Sequence, residues 1–206
     1  MAFSGWPAEA LEFYEGLEAD NSKTYWQANK ATYDDCVRTP MLELLAELEP
    51  AHGTGKIFRP YRDVRFSADK TPYKTAIGAL LSGGGYVQLS SAGLATGCGV
   101  WHMEPDQLRR YRLAVDDAKS GGSLVAVVSE LERQGIEAIA RESLKTVPRG
   151  FDKAHPRADL LRNKGLAAWK QWPVGAWLGT AKAKSRVEDF LASAAPLNDW
   201  LHRQVG

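Results

Sequence analysis

The amino-acid sequence predicts an α+β fold, in which an antiparallel sheet of about five or six strands packs with helices mainly on one face. Helical spacing of apolar residues marks both ends of the chain, whereas short strand-like segments separated by glycines fill its middle. The two patterns do not alternate regularly, which argues against a parallel sheet. We expect one domain over residues 1–206, with N-terminal helices at 7–49, a sheet-rich middle at 57–102, mixed helices and strands at 105–178, and C-terminal helices at 180–204.

The N-terminal helices carry the first two candidate binding residues. Pro7 is expected to open one helix, and Ser22 to cap a second helix whose apolar stripe contains Trp26. Asn29 lies on the same stripe, where a side-chain amide either hydrogen-bonds a neighbouring segment or faces a ligand. We expect Trp26 and Asn29 to lie against the loop at 67–71.

Residues 58–66 are predicted as a strand with two different faces. Alternation places Arg62, Val64 and Phe66 on the core face, and Arg59 and Arg65 beside an aspartate on the other face. A turn follows, and segments 73–81, 86–91 and 94–101 then predict an antiparallel meander. The glycines at 97 and 99 leave bare backbone in the last strand, which indicates a bulge, a crowded core contact or a close ligand.

The second half of the chain predicts further helices. Pro105 is expected to start one, the glycine pair Gly121-Gly122 to separate it from the next, and Pro196 to open the last. Arg112 lies at the border of its helix's apolar face. It either reaches the sheet and adds charge to the site, or lays its stem along apolar surface with its head in water.

Composition excludes several classes of protein. At 44% hydrophobic, 25% charged and a net charge of +1, the chain has the balance of an ordinary globular domain, with no general nucleic-acid binding expected. No apolar stretch is long enough to span a bilayer, so we predict no membrane association. Cys36 and Cys98 lack a paired spacing, and we predict a reduced, cytoplasmic location.

The sequence gives no indication of a metal or cofactor. The four histidines are scattered without the spacing of metal ligands, and phosphate-loop, nucleophile-elbow and dinucleotide motifs are all missing. We therefore predict no metal site and no cofactor. Nothing in the sequence indicates an oligomeric state.

The most distinctive feature is the segment 57–75, IFRPYRDVRFSADKTPYKT, which holds five cationic and two acidic side chains. Guanidinium and ammonium groups concentrated beside a turn are typical of sites for carboxylates or phosphates. The candidate ligand-binding residues are Arg59, Arg62, Arg65, Ser67, Lys70, Lys74, Arg112, Asn29 and Trp26, and the candidate catalytic residues are Asp63 and Asp69.

The same segment resembles a known family. The run RDVRFSADKTPYKT at 62–75 closely resembles the signature block of the bacterial family called domain of unknown function 2461. Two further blocks agree, NSKTYWQANKATY at 21–33 and PRGFDKAHPRADLLRNKG at 148–165, and Gly97, Gly99 and Arg112 also fall where the family pattern has them. Tyr25-Trp26 departs from it, since the family order is tryptophan then phenylalanine. The resemblance covers most of the chain and implies no particular reaction.

Three functions remain open at this point. The cationic segment binds a phosphorylated or carboxylated small molecule, or it belongs to an enzyme acting on such a substrate with Asp63 or Asp69 as acid, base or metal carboxylate. Alternatively, it is a structural ion-pair cluster that supports a protein-interaction surface. Cations beside a carboxylate lower its pKa, which weakens it as a base.

Overall fold

The computed structural model describes residues 2–206 and confirms the α+β fold. Its strands are β1 (Gly55–Ile57), β2 (Ala76–Leu81), β3 (Gly85–Ser90), β4 (Gly93–Val100), β5 (Glu137–Ile139) and β6 (Leu166–Trp172). They form a six-stranded antiparallel sheet with the order β1-β2-β3-β4-β6-β5. The predicted meander is confirmed, because β2, β3 and β4 are consecutive in the chain and adjacent in the sheet.

Helices occupy most of the remaining chain. They are α1 (Ala8–Ala19), α2 (Lys23–Ala28), α3 (Lys30–Thr32), α4 (Thr39–His52), α5 (Pro105–Asp116), α6 (Ala118–Arg133), α7 (Ala158–Arg162) and α8 (Lys182–Gln204), with a π-helical stretch at Tyr33–Arg38 and a 3₁₀ turn at Ala176–Gly179. The chain divides into two compact units. The first comprises the chain up to Thr96 with Gln171–Asp189, and the second comprises Gly97–Lys170 with Phe190–Gly206.

In the first unit, the predicted starts of α1 and α2 are confirmed. Pro7 is the extended residue that precedes α1. The Ser22 hydroxyl caps α2 by accepting the backbone N–H of Tyr25 at 3.1 Å. α1 buries Phe13 and α2 buries Trp26, so the two helices place large aromatic rings in one core.

The predicted strand over residues 58–66 is wrong, since no strand covers them. Phe66, expected to face the core, is 96% exposed. The reason is local chemistry that competes with strand pairing. Pro60 has no N–H for a ladder, and the Asp63 carboxylate accepts the backbone N–H of Arg65 in a tight turn.

In the second unit, the predicted helix break at Gly121-Gly122 is also wrong. Both glycines lie inside α6, and the break falls earlier, at Asp117. The Asp117 carboxylate accepts the backbone N–H groups of Lys119 and Ser120 at 3.0 and 2.7 Å. This strong N-cap fixes where α6 begins, and it outweighs the weak helix propensity of the glycines.

The prediction that Pro196 opens a separate helix is wrong as well, because α8 continues through it to Gln204. Phe190, Leu197 and Trp200 are buried along the same helix on both sides of the proline. Tertiary burial of this stripe stabilises a continuous helix despite the missing N–H.

The glycines of β4 mark a crowded strand contact, one of the explanations that the sequence left open. Gly99 has φ +128°, and a Cβ there would lie 2.6 Å from the carbonyl oxygen of Leu166. A Cβ on Gly97 would lie 3.0 Å from the ring of Trp169. Close approach of the β6 segment therefore accounts for both glycines.

Candidate functional site

The cationic segment forms an irregular hairpin that extends β1 and β2 of the first unit. Its two arms are joined by backbone hydrogen bonds of 2.8 to 2.9 Å, which run from Phe58 to Gly78, from Lys74 to Pro60 and from Arg62 to Pro72. Tyr61 and Tyr73 face each other in an isolated antiparallel bridge between these bonds. The arms are thus paired up to residues 62 and 72, and the loop at 63–71 closes the hairpin.

Aromatic packing fixes one face of this hairpin. The ring of Tyr73 stacks on Trp26, with ring centroids 4.4 Å apart and an interplanar angle of 6°, and Tyr61 lies 6.2 Å from the same indole. Successive side chains in extended backbone alternate between faces. Arg62 and Lys74, which follow the two tyrosines, therefore belong to the opposite face.

That opposite face borders a cleft of about 580 Å³ within the first unit. The lining includes charged, amide and aromatic side chains, and it comes from α1, Asn21, the hairpin with its loop, β2 and β3. It comprises Glu18, Asn21, Phe58, Arg62, Asp69, Thr71, Tyr73, Lys74, Thr75, Ala76, Gly78, Tyr86 and Gln88. We refer to it as the hairpin cleft.

A three-residue network holds Arg62 at the edge of the hairpin cleft. Its Nη1 donates to the carboxylate of Asp69 and to the hydroxyl of Thr71. Asp69 also accepts the backbone N–H and the hydroxyl of Thr71, at 2.9 and 2.8 Å. The hydrogen bond from Arg62, followed by those from Thr71, lowers the pKa of Asp69 from 3.8 to about 2. Asp69 is therefore a firmly ionised positioning group.

Lys74 is the cation of the hairpin cleft that lacks an acidic partner. Among residues 2–206 no carboxylate forms an ion pair with it, although five cations crowd this segment. Its Nζ lies 5.2 Å from the centre of the Phe58 ring, a cation–π contact. Burial, followed by repulsion from Arg59, lowers the pKa of the Lys74 ammonium. Both effects would be offset by an anion at this position.

The sheet supplies the wall of the hairpin cleft. On β3 the Tyr86 hydroxyl donates to Oε1 of Gln88 at 2.8 Å, and the Gln88 amide nitrogen has no acceptor among residues 2–206. Across the sheet, Gly78 pairs with Gln88, and a Cβ on Gly78 would lie 2.5 Å from the Tyr86 hydroxyl oxygen. Glycine at this position therefore makes room for the tyrosine that orients the amide.

The remaining candidates of the segment lie outside the lining of the hairpin cleft. Arg65 and Asp63 form a bidentate pair at 2.9 and 2.7 Å, which lowers the pKa of Asp63. Lys70 donates from Nζ to the carbonyl of Val64 at 2.9 Å. Ser67 contributes a backbone N–H to the same carbonyl, at 3.4 Å. These groups stabilise the loop at 63–71 itself, and the charge of Arg59 lowers the pKa of both Asp63 and Lys74.

Two further candidates have structural contacts. The Asn29 amide donates to the carbonyl of Tyr25 at 2.9 Å, within its own helical segment. Arg112 lies in the second unit, where its Nε donates to the carbonyl of Leu161 at 3.3 Å and burial lowers its pKa.

Asn21 is the residue that the sequence reasoning missed. Its amide nitrogen donates to the carbonyl of Tyr73 at 3.1 Å, and its amide oxygen accepts the N–H of Tyr73 at 3.0 Å. Asn21 therefore pairs with the outer edge of the hairpin as a neighbouring strand would. The sequence does carry a signal, since Asn21 begins the block NSKTYW, but it precedes the helix that Ser22 is expected to cap.

A larger cleft, of about 640 Å³, lies in the second unit between α5, α6 and the end of α8. Arg110 and Asp117 have partners, and the other two charged side chains of its lining, Lys119 and Arg203, are exposed. Arg110 donates from Nε to the carbonyl of Val205 at 2.8 Å, and Asp117 caps α6. The hairpin cleft has the stronger chemical indication of a ligand, because Lys74 there is partly buried and has no acidic partner among residues 2–206.

Residues 2–206 contain neither a cluster of metal-ligand side chains nor a membrane-spanning helix. No group of three or more histidine, cysteine, aspartate or glutamate side chains within this range has the arrangement of a metal site. Nor does any helix in this range combine the length and apolar character needed to cross a membrane.

Comparison with known proteins identifies the family. Residues 9–200 match the family model described as Conserved hypothetical protein (DUF2461), and the chain belongs to this family. Neither the curated proteins nor the solved structures compared with the chain contain a match.

Proposed function

We propose that the hairpin cleft binds a small molecule bearing a carboxylate or phosphate group, with Lys74 and Arg62 as its cationic contacts. The observation that carries the proposal is the Lys74 ammonium, which lines the cleft, is partly buried and has no acidic partner among residues 2–206. Withdrawing a cation from water without a counter-charge is unfavourable. A bound anion supplies that charge.

Arg62 supports the same site with donors that its own network does not use. Only Nη1 of its guanidinium is engaged by Asp69 and Thr71. A guanidinium carries five N–H groups in a planar fork, so Nε and Nη2 retain donors for a ligand. Asp69 and Thr71 then act by holding that fork in one orientation.

The contacts favour binding over acid–base catalysis. A general base acting near neutral pH needs a pKa close to that pH. The pKa values of Asp63 and Asp69 both lie below their ordinary range, because each carboxylate accepts hydrogen bonds from an arginine. Neither side chain suits proton abstraction in this state.

The ion pairs also support the structural alternative, but only for part of the segment. Arg62–Asp69 and Arg65–Asp63 are partly exposed pairs of the kind that contribute little to stability. They explain four of the seven charged side chains of the segment, and they leave Lys74 without an acidic partner among residues 2–206. The binding proposal accounts for Lys74 as well.

The test is a thermal-shift screen followed by calorimetric titration with inorganic phosphate, sugar phosphates, nucleotides and short organic acids. A true ligand should raise the melting temperature of the wild type. Lys74→Gln should weaken its binding about tenfold or more, because a hydrogen bond to a charged group is lost. The matched control is Lys56→Gln, which removes an exposed lysine from β1, outside the cleft lining. An equal loss of binding affinity in Lys74→Gln and Lys56→Gln would contradict the proposal.

A further inference from the structure

We infer that the ligand of the hairpin cleft carries an amino group in addition to its anionic group, so that it spans Lys74 and Glu18. This inference rests on the proposed function, because it takes the anion at Lys74 as given. The added contact is between the ligand's amino group and the carboxylate of Glu18, which belongs to α1.

The inference follows from the charges of the cleft lining. Four charged side chains line it, two cationic and two acidic: Arg62, Lys74, Glu18 and Asp69. Arg62 and Asp69 neutralise each other in an ion pair. One ammonium and one carboxylate are left, and within residues 2–206 neither forms an ion pair. A ligand with both charges complements the two groups, whereas a simple anion leaves Glu18 without a group of opposite charge.

Glu18 is held in place by a neutral donor. The hydroxyl of Ser91 donates to its Oε1 at 2.7 Å. That bond orients the carboxylate without neutralising it, and Oε2 keeps its lone pairs for an ammonium group. A carboxylate positioned by a hydroxyl binds a cation with less loss of side-chain freedom than a mobile one.

The rest of the cleft lining fits a ligand with a polar or short aliphatic body. The lining includes the amide nitrogen of Gln88, which has no hydrogen-bond acceptor among residues 2–206, and the apolar side chains of Phe58 and Ala76. The chemical class is therefore an amino acid with separated amino and acid groups, or a phosphorylated amine. A series of amino acids of increasing chain length then shows which separation of amino and acid groups best matches Lys74 and Glu18.

The experiment compares two matched series by calorimetry. Glycine, β-alanine, γ-aminobutyrate and ε-aminocaproate are titrated against acetate, propionate, butyrate and caproate, and phosphoethanolamine against ethyl phosphate. At least one amino compound should bind about fivefold more tightly than its amine-free analogue, since a partly exposed ion pair contributes up to about 1 kcal/mol. Glu18→Gln should abolish that difference while it preserves the acceptor for Ser91.

The control for charge is Glu15→Gln, an exposed glutamate of α1 outside the cleft lining, which should leave the difference intact. Equal binding of both series, with both lost in Lys74→Gln, would overturn this inference and leave the proposed function standing. Failure of both series and of the phosphorylated pair to bind would overturn both. An amino preference that survives Glu18→Gln would also overturn the assignment of Glu18.

Discussion

Trp26 and Tyr73 lie in parallel contact, 4.4 Å apart between ring centroids, and this contact joins α2 to the hairpin that carries the candidate site. Trp26 is buried, and its indole also packs against Tyr33 and Phe13. The cationic arm is therefore positioned by an aromatic core on its other face. Because Lys74 is the next residue after Tyr73, a change in this core also displaces the binding face.

Truncation of this indole should destabilise the protein strongly. Trp26→Ala removes a buried aromatic side chain and leaves a cavity, and the expected loss in the free energy of unfolding is roughly 3–5 kcal/mol. Trp101→Ala is the control. Because Trp101 is 48% exposed, its truncation should lower the free energy of unfolding far less. Urea denaturation of both variants provides the measurement, and similar losses would refute the role of the stack.

Asn21 should matter more than Asn29, although both are amides of the same sequence block. Asn21→Ala leaves the N–H and the carbonyl of Tyr73 without their partner, with an expected cost of about 2–3 kcal/mol. Asn29→Ala removes one bond within its own helical segment and should cost about 1 kcal/mol or less. Equilibrium unfolding of the two variants measures the difference. A larger effect at Asn29 would contradict the observed pairing.

These residues also show what the sequence could predict. Helical spacing and the Ser22 cap located α2, and alternating segments with glycine turns located the meander, because both patterns depend on local periodicity and burial. The hairpin was not predicted. Alternation at 58–66 indicates a regular strand, but side-chain contacts within the loop stabilise an irregular hairpin instead. The role of Asn21 depends on Tyr73, 52 residues away, and no local pattern reveals such a partner.

The prediction of the site was correspondingly partial. Charge density located the segment, and Arg62 and Lys74 line the hairpin cleft. The sequence does not show which of these cations have an acidic partner, because that depends on contacts made in the folded structure. Arg65 and Lys70 have the same charge as Lys74, but their partners lie in their own loop.

Acid should weaken the hairpin through Asp69. Its pKa falls from 3.8 to about 2 on folding, so the folded state binds this proton less readily than the unfolded state. The stabilisation is therefore fully present above about pH 4 and is lost as the pH falls toward 2. Asp69→Asn should remove that contribution. Urea unfolding across this range should show a smaller acid-induced loss for the variant than for wild type, and parallel curves would contradict the assignment.

Two adjacent glycines of α6 should respond to alanine in opposite directions. A Cβ at Gly121 would lie 2.1 Å from the carbonyl oxygen of Val115, so Gly121→Ala should destabilise by roughly 1–3 kcal/mol through overpacking. A Cβ at Gly122 meets no atom within 4 Å, so Gly122→Ala should stabilise α6 by roughly 0.5–1 kcal/mol. Thermal unfolding of both variants measures the two signs. The same sign for both would show that α6 does not pass through this position as described.

The central claim, that Lys74 and Arg62 receive an anion in the hairpin cleft, is tested most directly by a crystal structure determined with phosphate or with a ligand found in the thermal-shift screen. We predict an anion oxygen within hydrogen-bonding distance, about 3 Å, of Lys74 Nζ. In crystals of Lys74→Gln under the same conditions, that position should lose the anion. An anion bound instead at the loop cations Arg65 and Lys70, with the cleft free of it at the same concentration, would contradict the account.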